Sequence, residues 1–319
     1  MSGACTYVVL SGGIGGAKLA LGMSHVVPTD KLTVIVNTGD DFEHLGLNVS
    51  PDLDTLMYTL SGAVDPETGW GRADETWQFM AALEQLGGET WFRLGDRDLA
   101  THVQRTQLLG SGATLSEVTL KLCERFGVGP RIVPMSDDRV RTHVLTDDGK
   151  LEFQHYFVRD RAAPRTLGIE FHGARDAAPA AGALAALRDP ALAGIVIAPS
   201  NPYLSIDPIL AVPGMRAAIN DSHVPVIAVS PIVGDAAIKG PTAKIMRELK
   251  LEVSARSIAA HYSDLLDGFI IDATDREKAG DFGDERPDVR ACQTVMKSLE
   301  DRITLARATL NFCTTLATR

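Results

Sequence analysis

The chain has 319 residues, more than one small core usually organises, so one large domain or two interleaved ones are expected. Hydrophobic residues make up 45% of it and charged residues 23%, which is the composition of an ordinary water-soluble globular protein. The 31 Lys and Arg against 41 Asp and Glu argue against a nucleic-acid partner, because such a surface needs clustered cations. No apolar run approaches the ~20 residues that a membrane span requires.

Cysteine usage and the first residues of the chain bear on its location. Cys5, Cys123, Cys292 and Cys313 form neither a C-x-x-C pair nor a zinc-site spacing, and this scatter fits reduced thiols. The start of the chain lacks the charged segment and the long apolar core of a signal peptide. We therefore expect a cytoplasmic protein without a membrane segment.

A glycine-rich segment, residues 11–18, follows the first apolar run and precedes a helix-compatible stretch. Its glycines allow a tight strand-to-helix turn and a close approach of backbone N–H groups to a ligand; they are Gly12, Gly13, Gly15 and Gly16. The N-terminus of the following helix favours an anion such as phosphate, and Lys18 adds a cation. The spacing matches neither G-x-G-x-x-G nor the Walker loop, so a tight turn without a ligand stays the alternative.

Five continuously apolar runs predict buried parallel strands, at residues 7–10, 32–36, 195–198, 226–229 and 269–271. Each run ends in small or polar residues, among them Ser11, Asn37 and Ser200. The carboxyl ends of parallel strands share one edge of a sheet, and ligands bind at that edge in open α/β folds. The sequence therefore predicts an α/β fold with a Rossmann-like, mostly parallel sheet flanked by helices.

A helix is predicted soon after the second strand, where Ser50 can cap it and Pro51 can occupy its first position. Its buried stripe has helical spacing and consists of Leu53, Leu56, Met57 and Leu60. Asp52 and Asp54 fall off this stripe in the first turn, where they can simply complement the helix dipole.

The pattern divides the chain into a core and an insertion. Residues 1–60 and 190–319 are predicted to form the Rossmann-like core, and residues 61–189 a smaller inserted region of helices and a β-hairpin. The hairpin is predicted at residues 140–146 and 151–157, which alternate apolar and polar positions around an Asp-Gly turn.

Helices are predicted in the insertion and at the C-terminus. Thr114 opens one with a capping-box pattern, and residues 93–98 pack four charges before another, in which His102 is interpreted as structural. Apolar positions three and four residues apart, from Val289 to Cys313, predict one amphipathic C-terminal helix. This helix docks either on its own domain or on a second subunit.

Four carboxylates lie within fifteen residues and can converge beside the glycine turn: Asp40, Asp41, Asp52 and Asp54. They would repel a bound diphosphate unless a hard cation lay between them, and Mg²⁺ is the expected cation. Neutral hydrogen bonds along the same edge are expected from Asn37, Ser200 and Asn201. The residues alone predict a metal-dependent α/β enzyme that acts on a phosphorylated, nucleotide-like small molecule.

Seven short motifs then follow one another in a specific order. They are VVLSGGIGGAK (8–18), NTGDD (37–41), SPDLDT (50–55), LGDRD (94–98), PMSDD (134–138), APSNP (198–202) and VSPI (229–232). In this order they resemble the 2-phospho-L-lactate transferases of coenzyme F-420 biosynthesis, and the resemblance covers about residues 6–275.

The resemblance implies a reaction, a cofactor and an assembly. Enzymes of that family transfer 2-phospho-L-lactate, phosphoenolpyruvate or 3-phosphoglycerate from a guanosine diphosphate-linked donor to the ribityl hydroxyl of Fo (7,8-didemethyl-8-hydroxy-5-deazariboflavin). GMP leaves, and F-420-0 or dehydro-F-420-0 forms. The resemblance also implies Mg²⁺ and a homodimer, and it leaves the choice among the three donors open.

The resemblance further implies roles for individual residues. The metal and acceptor region consists of Asp40, Asp41, Asp52 and Asp54, within which Asp54, together with Arg93, holds Fo. Either Asp40 or Asp54 is expected to orient the Fo hydroxyl or to act as its base. Lys18 and Arg97 are possible cationic helpers. The residues expected to contact donor or acceptor are Gly12, Gly13, Gly15, Gly16, Lys18, Asn37, Asp54, Arg93, Asp96, Arg97, Asp98, Ser200, Asn201 and Pro202.

One alternative comes from a different class of protein. Regulators of the gluconeogenesis-factor type share a glycine-rich start and an Asn-Pro loop, but they bind a nucleotide-sugar without catalysis. The motifs at residues 51–55 and 95–98 favour the enzyme.

Overall fold

A computed structural model describes residues 5–234, 236–237, 240–282 and 287–318 of the chain. Its strands are β1 (Thr6–Ser11), β2 (Leu32–Val36), β3 (Phe42–His44), β4 (Leu47–Val49), β5 (Arg131–Pro134), β6 (Arg141–Thr146), β7 (Gly149–Glu152), β8 (Thr166–His172), β9 (Leu192–Ile197), β10 (Val226–Val229), β11 (Ile232–Val233), β12 (Ala236–Ala237), β13 (Gly268–Asp272) and β14 (Asp288–Cys292). Its α-helices are α1 (Gly13–Ser24), α2 (Pro51–Ser61), α3 (Gln78–Gln85), α4 (Asp96–Gly110), α5 (Leu115–Phe126), α6 (Ala181–Leu187), α7 (Asp207–Ala211), α8 (Met215–Asn220), α9 (Thr242–Glu248), α10 (Ala255–His261) and α11 (Leu299–Ala317).

The main sheet of the described residues has seven strands in the order β14-β13-β10-β9-β1-β2-β5, and its pairings are parallel. From β1 the chain builds outward to β2 and β5, and then returns to the other side of β1 with β9 and its successors. This reversal creates a crevice between the carboxyl ends of β1 and β9, the usual ligand position in such sheets. The α/β class predicted from the sequence is confirmed.

The five predicted strands are present as β1, β2, β9, β10 and β13, with β9 beginning three residues before its apolar run. The sequence did not predict β5 and β14, which lie at the two edges of the sheet. Edge strands are not buried on every side, so their sequences need no continuous apolar run.

Two apolar layers cover the two faces of this sheet, because side chains along each strand alternate between them. Val8 and Leu10 of β1 pack into a core completed by α6 to α10 and by the sheet of β6, β7 and β8. Val9 packs into the opposite core, which α1, α2, α5 and α11 cover. The predicted stripe of α2 lies in this second core, with Leu53, Leu56 and Met57 buried.

The predicted hairpin is present, but its second strand is shorter than predicted. β6 and β7 pair around the Asp-Gly turn, and β8 adds a third antiparallel strand. The second strand ends at Glu152 rather than at residue 157, because a π-helical turn, His155–Arg159, follows it. The division at residues 61–189 stays a prediction, although β5, within that segment, is a strand of the main sheet.

The prediction of one C-terminal helix from residue 289 is wrong at its start. Val289 and Cys292 belong to β14, which pairs with β13. The helix α11 begins only at Leu299, where Ser298 and Asp301 form a capping box. Two short apolar spacings in an edge strand can mimic a helical repeat, and a capping box marks the true boundary. α11 packs on α1 and the sheet of its own chain.

No helix among residues 5–234, 240–282 and 287–318 combines the length and the apolarity that crossing a bilayer requires.

Candidate active site

The glycine turn joins β1 to α1 at the crevice between β1 and β9. The Gly13 N–H donates to Asp52 Oδ1 over 2.6 Å, and Gly13 adopts φ 64°, in the left-handed region that favours glycine. A Cβ on Gly12 would lie 2.5 Å from Asp52 Oδ2 and 2.6 Å from Ser205 Cβ, so this position has no room for a side chain. The turn is therefore tied directly to one of the predicted aspartates.

The loop after β9 holds the other side of the turn. Ser200 Oγ accepts from the Gly12 N–H at 3.1 Å and donates to the Gly12 carbonyl at 2.7 Å. A Cβ on Gly16 would collide with Ser11 Oγ, and one on Gly15 would lie 2.5 Å from the Pro199 carbonyl oxygen. Gly15 and Gly16 are thus explained by close packing of α1 on its own chain, whereas the space around Gly13 is open.

Asn37, at the end of β2, joins two of the predicted carboxylates. Its Nδ2 donates to Asp52 Oδ2 at 2.9 Å and lies 3.3 Å from Asp40 Oδ1. Its Oδ1 accepts from the Gly39 N–H at 2.8 Å, which fixes the orientation of the amide. We call Asp40, Asp41 and Asp52 the acidic trio; all three are buried. The structure therefore brings the trio together beside the glycine turn.

The trio is poorly compensated electrostatically. Burial raises the pKa of Asp40 well above its ordinary value, and the neighbouring carboxylates of Asp52 and Asp41 raise it further. Burial raises the pKa of Asp41 to about 7 and that of Asp52 to about 6. Asp41 Oδ2 accepts from Ser50 Oγ at 2.8 Å, but its buried Oδ1 has no hydrogen-bond partner among the described residues. A bound cation would offset this accumulation of negative charge.

The four-aspartate metal set predicted from the sequence stays a prediction. No group of three or more Asp, Glu, His or Cys side chains within the described ranges is arranged to hold a metal ion. Asp54 pairs instead with Arg105, which donates one hydrogen bond to each of its oxygens. The unpartnered oxygen of Asp41 still offers one carboxylate, and Mg²⁺ uses one or two when substrate phosphates supply further ligands.

Asp54 belongs to a second group, in which it is paired with a positive charge. Its carboxylate accepts a two-pronged ion pair from Arg105, whose Nη1 also lies 3.1 Å from His102 Nδ1. His102 Nε2 lies 3.1 Å from Asp98 Oδ2, and Tyr58 Oη donates to Asp98 Oδ1 at 2.7 Å. We call Asp54, Arg105, His102, Asp98 and Tyr58 the paired chain. It links α2 to α4 through the interior.

The sequence did not identify Arg105. Asp98, His102 and Arg105 stand at i, i+4 and i+7 of α4 and therefore share one face. This spacing indicates a polar helix face, but it does not identify the partner on α2, which lies 51 residues away along the chain. His102 has the structural position that was predicted for it.

The charged run at residues 93–98 is held mostly by contacts with residues 73–79. Asp96 accepts from the backbone N–H groups of Gln78 and Phe79 at 3.1 Å each, so it caps α3. Arg97 Nη1 donates to the Ala73 carbonyl at 3.3 Å. Arg93 stacks over the Trp77 ring at 4.1 Å. Substrate contacts by Arg93, Asp96 and Arg97 stay predictions, and Asp98 reaches Asp54 only through the paired chain.

The remaining predicted residues lie on both sides of the turn. Lys18 Nζ donates to the Met296 carbonyl at 3.2 Å, which ties α1 to the segment before α11. Asn201 Oδ1 caps the π-helical turn that begins at Pro202, and its buried Nδ2 has no hydrogen-bond partner in the described structure. Their roles as substrate contacts stay predictions.

The inserted antiparallel sheet supplies contacts that sequence reasoning missed. The Thr142 N–H donates to the Gly39 carbonyl at 2.6 Å, and Gln154 Nε2 donates to the Asp40 carbonyl at 3.2 Å. Arg141, beside Thr142, acts on the carboxyls of Asp40 and Asp41 and lowers the pKa of each against the larger effect of burial. Arg141 is thus a cationic side chain that faces the acidic trio.

An aromatic cluster follows Asp41 directly along the chain. Its members are Phe42, His44, Trp91, Phe92 and His155, with ring centroids 4.8 Å apart for Phe42 and Phe92 and 5.0 Å apart for His44 and Trp91. His44 Nε2 is buried without a hydrogen-bond partner among the described residues. This cluster joins the β3–β4 hairpin to the segment before α4.

Residues 7–297 match the family described as 2-phospho-L-lactate transferase CofD. The chain belongs to this family. A phosphoenolpyruvate transferase of Streptomyces griseus is 46% identical over 309 residues, which cover 95% of this chain and 96% of the relative. A 2-phospho-L-lactate transferase of Methanosarcina acetivorans is 40% identical over 301 residues, with 94% and 96% covered. The protein is therefore an enzyme of the CofD transferase family.

The fold is also similar to a crystal structure of a UPF0052 family member from Bacillus halodurans. The TM-score is 0.65 at 17% sequence identity, with 97% of this chain and 99% of that chain covered. At this identity the likeness extends to the fold alone.

Proposed function

We propose that this CofD-family enzyme acts in coenzyme F-420 biosynthesis and transfers a phospho-acid unit from a guanosine diphosphate-linked donor to the ribityl hydroxyl of Fo. The bond between the two donor phosphates breaks, and GMP leaves with that electron pair. The Fo hydroxyl oxygen forms the new bond to phosphorus and loses its proton. The observation that supports the proposal is the buried acidic trio beside the glycine turn, because a cation would offset its negative charge and because the trio lies at the edge of the sheet where ligands bind in such folds.

The donor side of the proposal uses the trio and the turn. Asp41, with its unpartnered Oδ1, would be a ligand of Mg²⁺, and Asp52 would fix the turn through the Gly13 N–H. Bound Mg²⁺ would supply charge neutralisation for the donor diphosphate and the departing GMP. Arg141 would add a second positive charge on the side of the inserted sheet.

The acceptor side uses Asp40 and Asp54 in different roles. The raised pKa of Asp40 suits it to take the proton of the Fo hydroxyl as general base. Asp54 would orient that hydroxyl by accepting its hydrogen bond, because pairing with Arg105 fixes the carboxylate in one orientation. Positioning and charge neutralisation carry most of the rate in phosphoryl transfer, so no covalent nucleophile is required.

The favoured donor carries phosphoenolpyruvate. The relatives at 46% identity are named phosphoenolpyruvate transferases, whereas the archaeal 2-phospho-L-lactate transferase is 40% identical. The three candidate units differ by small groups that one hydrogen bond can discriminate. The expected homodimer and the expected cytoplasmic location stay predictions.

The test is incubation of the purified protein with Fo, Mg²⁺ and each of the three guanosine diphosphate-linked donors in turn. Mass spectrometry should find GMP and a product with the mass of dehydro-F-420-0 for the phosphoenolpyruvate donor. Asp138→Asn, a change in the PMSDD motif outside the trio, serves as a control that should keep activity. No product with any donor, together with tight binding of a nucleotide-sugar, would favour the regulator and overturn the proposal.

A further inference from the structure

The structure assigns a positioning role to Arg105: it holds the Asp54 carboxylate in the single orientation in which the acceptor hydroxyl is received. This inference rests on the proposed function, since Asp54 is the residue proposed to orient the Fo hydroxyl. Arg105 does not touch substrate in this account and acts only through Asp54.

Arg105 reaches Asp54 from a different helix through the interior. The side chain of Arg105 is 2% exposed and that of Asp54 is 7% exposed. Nη1 donates to Asp54 Oδ2 at 3.0 Å and Nη2 donates to Asp54 Oδ1, which makes a parallel two-bond pair. The planar guanidinium presents two donors in a fixed geometry, so it fixes both the distance and the plane of the carboxylate.

The guanidinium of Arg105 is itself held by further contacts, to Asn48 and His102. Its Nη1 lies 3.4 Å from the Asn48 carbonyl and 3.1 Å from His102 Nδ1. An arginine has only donors, so Nδ1 of His102 is the acceptor in this contact. His102 Nε2 lies 3.1 Å from Asp98 Oδ2, and Tyr58 Oη donates to the other oxygen of Asp98. Rotation of the guanidinium would break several of these contacts at once.

This pairing leaves acceptor capacity on Asp54. A carboxylate has about four lone-pair sites, and Arg105 uses two of them. His102 Nδ1 lies 3.7 Å from Asp54 Oδ2, too far for a hydrogen bond, so it takes none. The remaining sites can accept the hydrogen bond of an alcohol. An aspartate that is buried, immobile and still able to accept is suited to orienting a hydroxyl.

The matched substitution is Arg105→Lys, which keeps the charge but loses the two-bond geometry. We expect kcat to fall by about 10²-fold and KM for Fo to rise, because small misplacements at a reacting group have effects of that size. KM for the donor should stay within about twofold, since donor binding depends on the acidic trio. His102→Ala, which loosens the guanidinium without removing it, should show the same pattern with a loss of about tenfold.

Two control variants separate positioning from stability. Arg216→Lys makes the same change in an ion pair with Asp264 on the surface and should leave every kinetic constant unchanged. Leu305→Ala removes a fully buried side chain on α11 and should lower the free energy of unfolding by about 2–5 kcal/mol without changing kcat of the folded enzyme. Kinetics are measured below the melting temperature of each variant.

A double-mutant cycle on kcat/KM for Fo tests whether Arg105 acts through Asp54. If Arg105 acts through Asp54, adding Arg105→Lys to Asp54→Asn should cost less than about threefold more, because the group it positions has already been lost. The inference would be overturned if the losses in kcat/KM of the two single variants multiplied in the double variant. It would also be overturned if Arg105→Lys, like Leu305→Ala, lost stability without losing kcat. In either case turnover by the wild type would leave the proposed function standing. A wild-type protein that releases no GMP from Fo and any donor would overturn the proposed function and this inference together.

Discussion

Asp52 and Asp54 lie two residues apart on α2, yet their surroundings are opposite. Asp52 joins two other buried carboxyls, neutral hydrogen-bond donors hold it, and its pKa rises to about 6. Asp54 faces a buried arginine and a histidine on α4. One helix turn thus supplies one aspartate to the acidic trio, where burial raises the pKa, and one aspartate whose counter-charge is already present.

The largest expected effect is on catalysis, from a change in the acidic trio. Asp40→Asn should lower turnover by about 10³-fold, because removal of a general base typically costs 10²–10⁴-fold. Its stability at neutral pH should not fall, since the amide replaces a buried carboxyl whose pKa is raised. GMP release and thermal unfolding measure the two effects. Turnover within tenfold of wild type would remove Asp40 from the mechanism.

The next largest effect is on stability, from a change in the paired chain. Arg105→Met leaves the Asp54 charge buried and unpaired, so the free energy of unfolding should fall by about 3–5 kcal/mol. Asp41→Asn is the contrasting variant at the trio, where loss of a charge should not destabilise the protein at pH 8. Denaturant unfolding compares the two. Equal losses in both variants would contradict the difference drawn between the two groups.

A smaller effect concerns pH. The pKa of Asp41 rises from 3.8 to about 7 on folding, so the folded chain binds more protons than the unfolded chain between those values. The free energy of unfolding should therefore fall as pH rises through this window, by up to a few kcal/mol from this one group. Asp41→Asn should flatten that slope. An unchanged slope in the variant would show that Asp41 titrates normally.

The smallest effect tests the charged run at residues 93–98. Asp96→Ala removes the cap of α3, so the free energy of unfolding should fall by about 1 kcal/mol. Because the observed partners of Asp96 are local, KM for Fo should change little. A large rise in KM for Fo would instead place Asp96 in the acceptor site, as the family resemblance implied.

The sequence predicted the features that depend on local pattern. The five buried strands, the stripe of α2 and the ligand edge at Ser11, Asn37 and Ser200 follow from apolar runs and their ends. The edge strand β14 was missed because half-buried positions such as Val289 carry no such run. The edge strand β5 was missed because its apolar run before Pro134 is only Ile132 and Val133.

The electrostatic division of the aspartates could not be predicted in the same way. Four carboxylates in fifteen residues look equivalent along the chain. Arg105 distinguishes Asp54 from the other three, and it lies 51 residues from Asp54 along the chain. Long-range packing therefore decides which aspartate is paired with a positive charge.

The most direct test is a calorimetric titration of GDP into the wild-type protein with and without Mg²⁺, repeated for Asp41→Asn and Arg105→Lys. GDP binding by the wild type should require Mg²⁺, Asp41→Asn should weaken it by about tenfold or more, and Arg105→Lys should leave it within about twofold. Equal GDP affinity without Mg²⁺, or a loss confined to Arg105→Lys, would contradict this prediction.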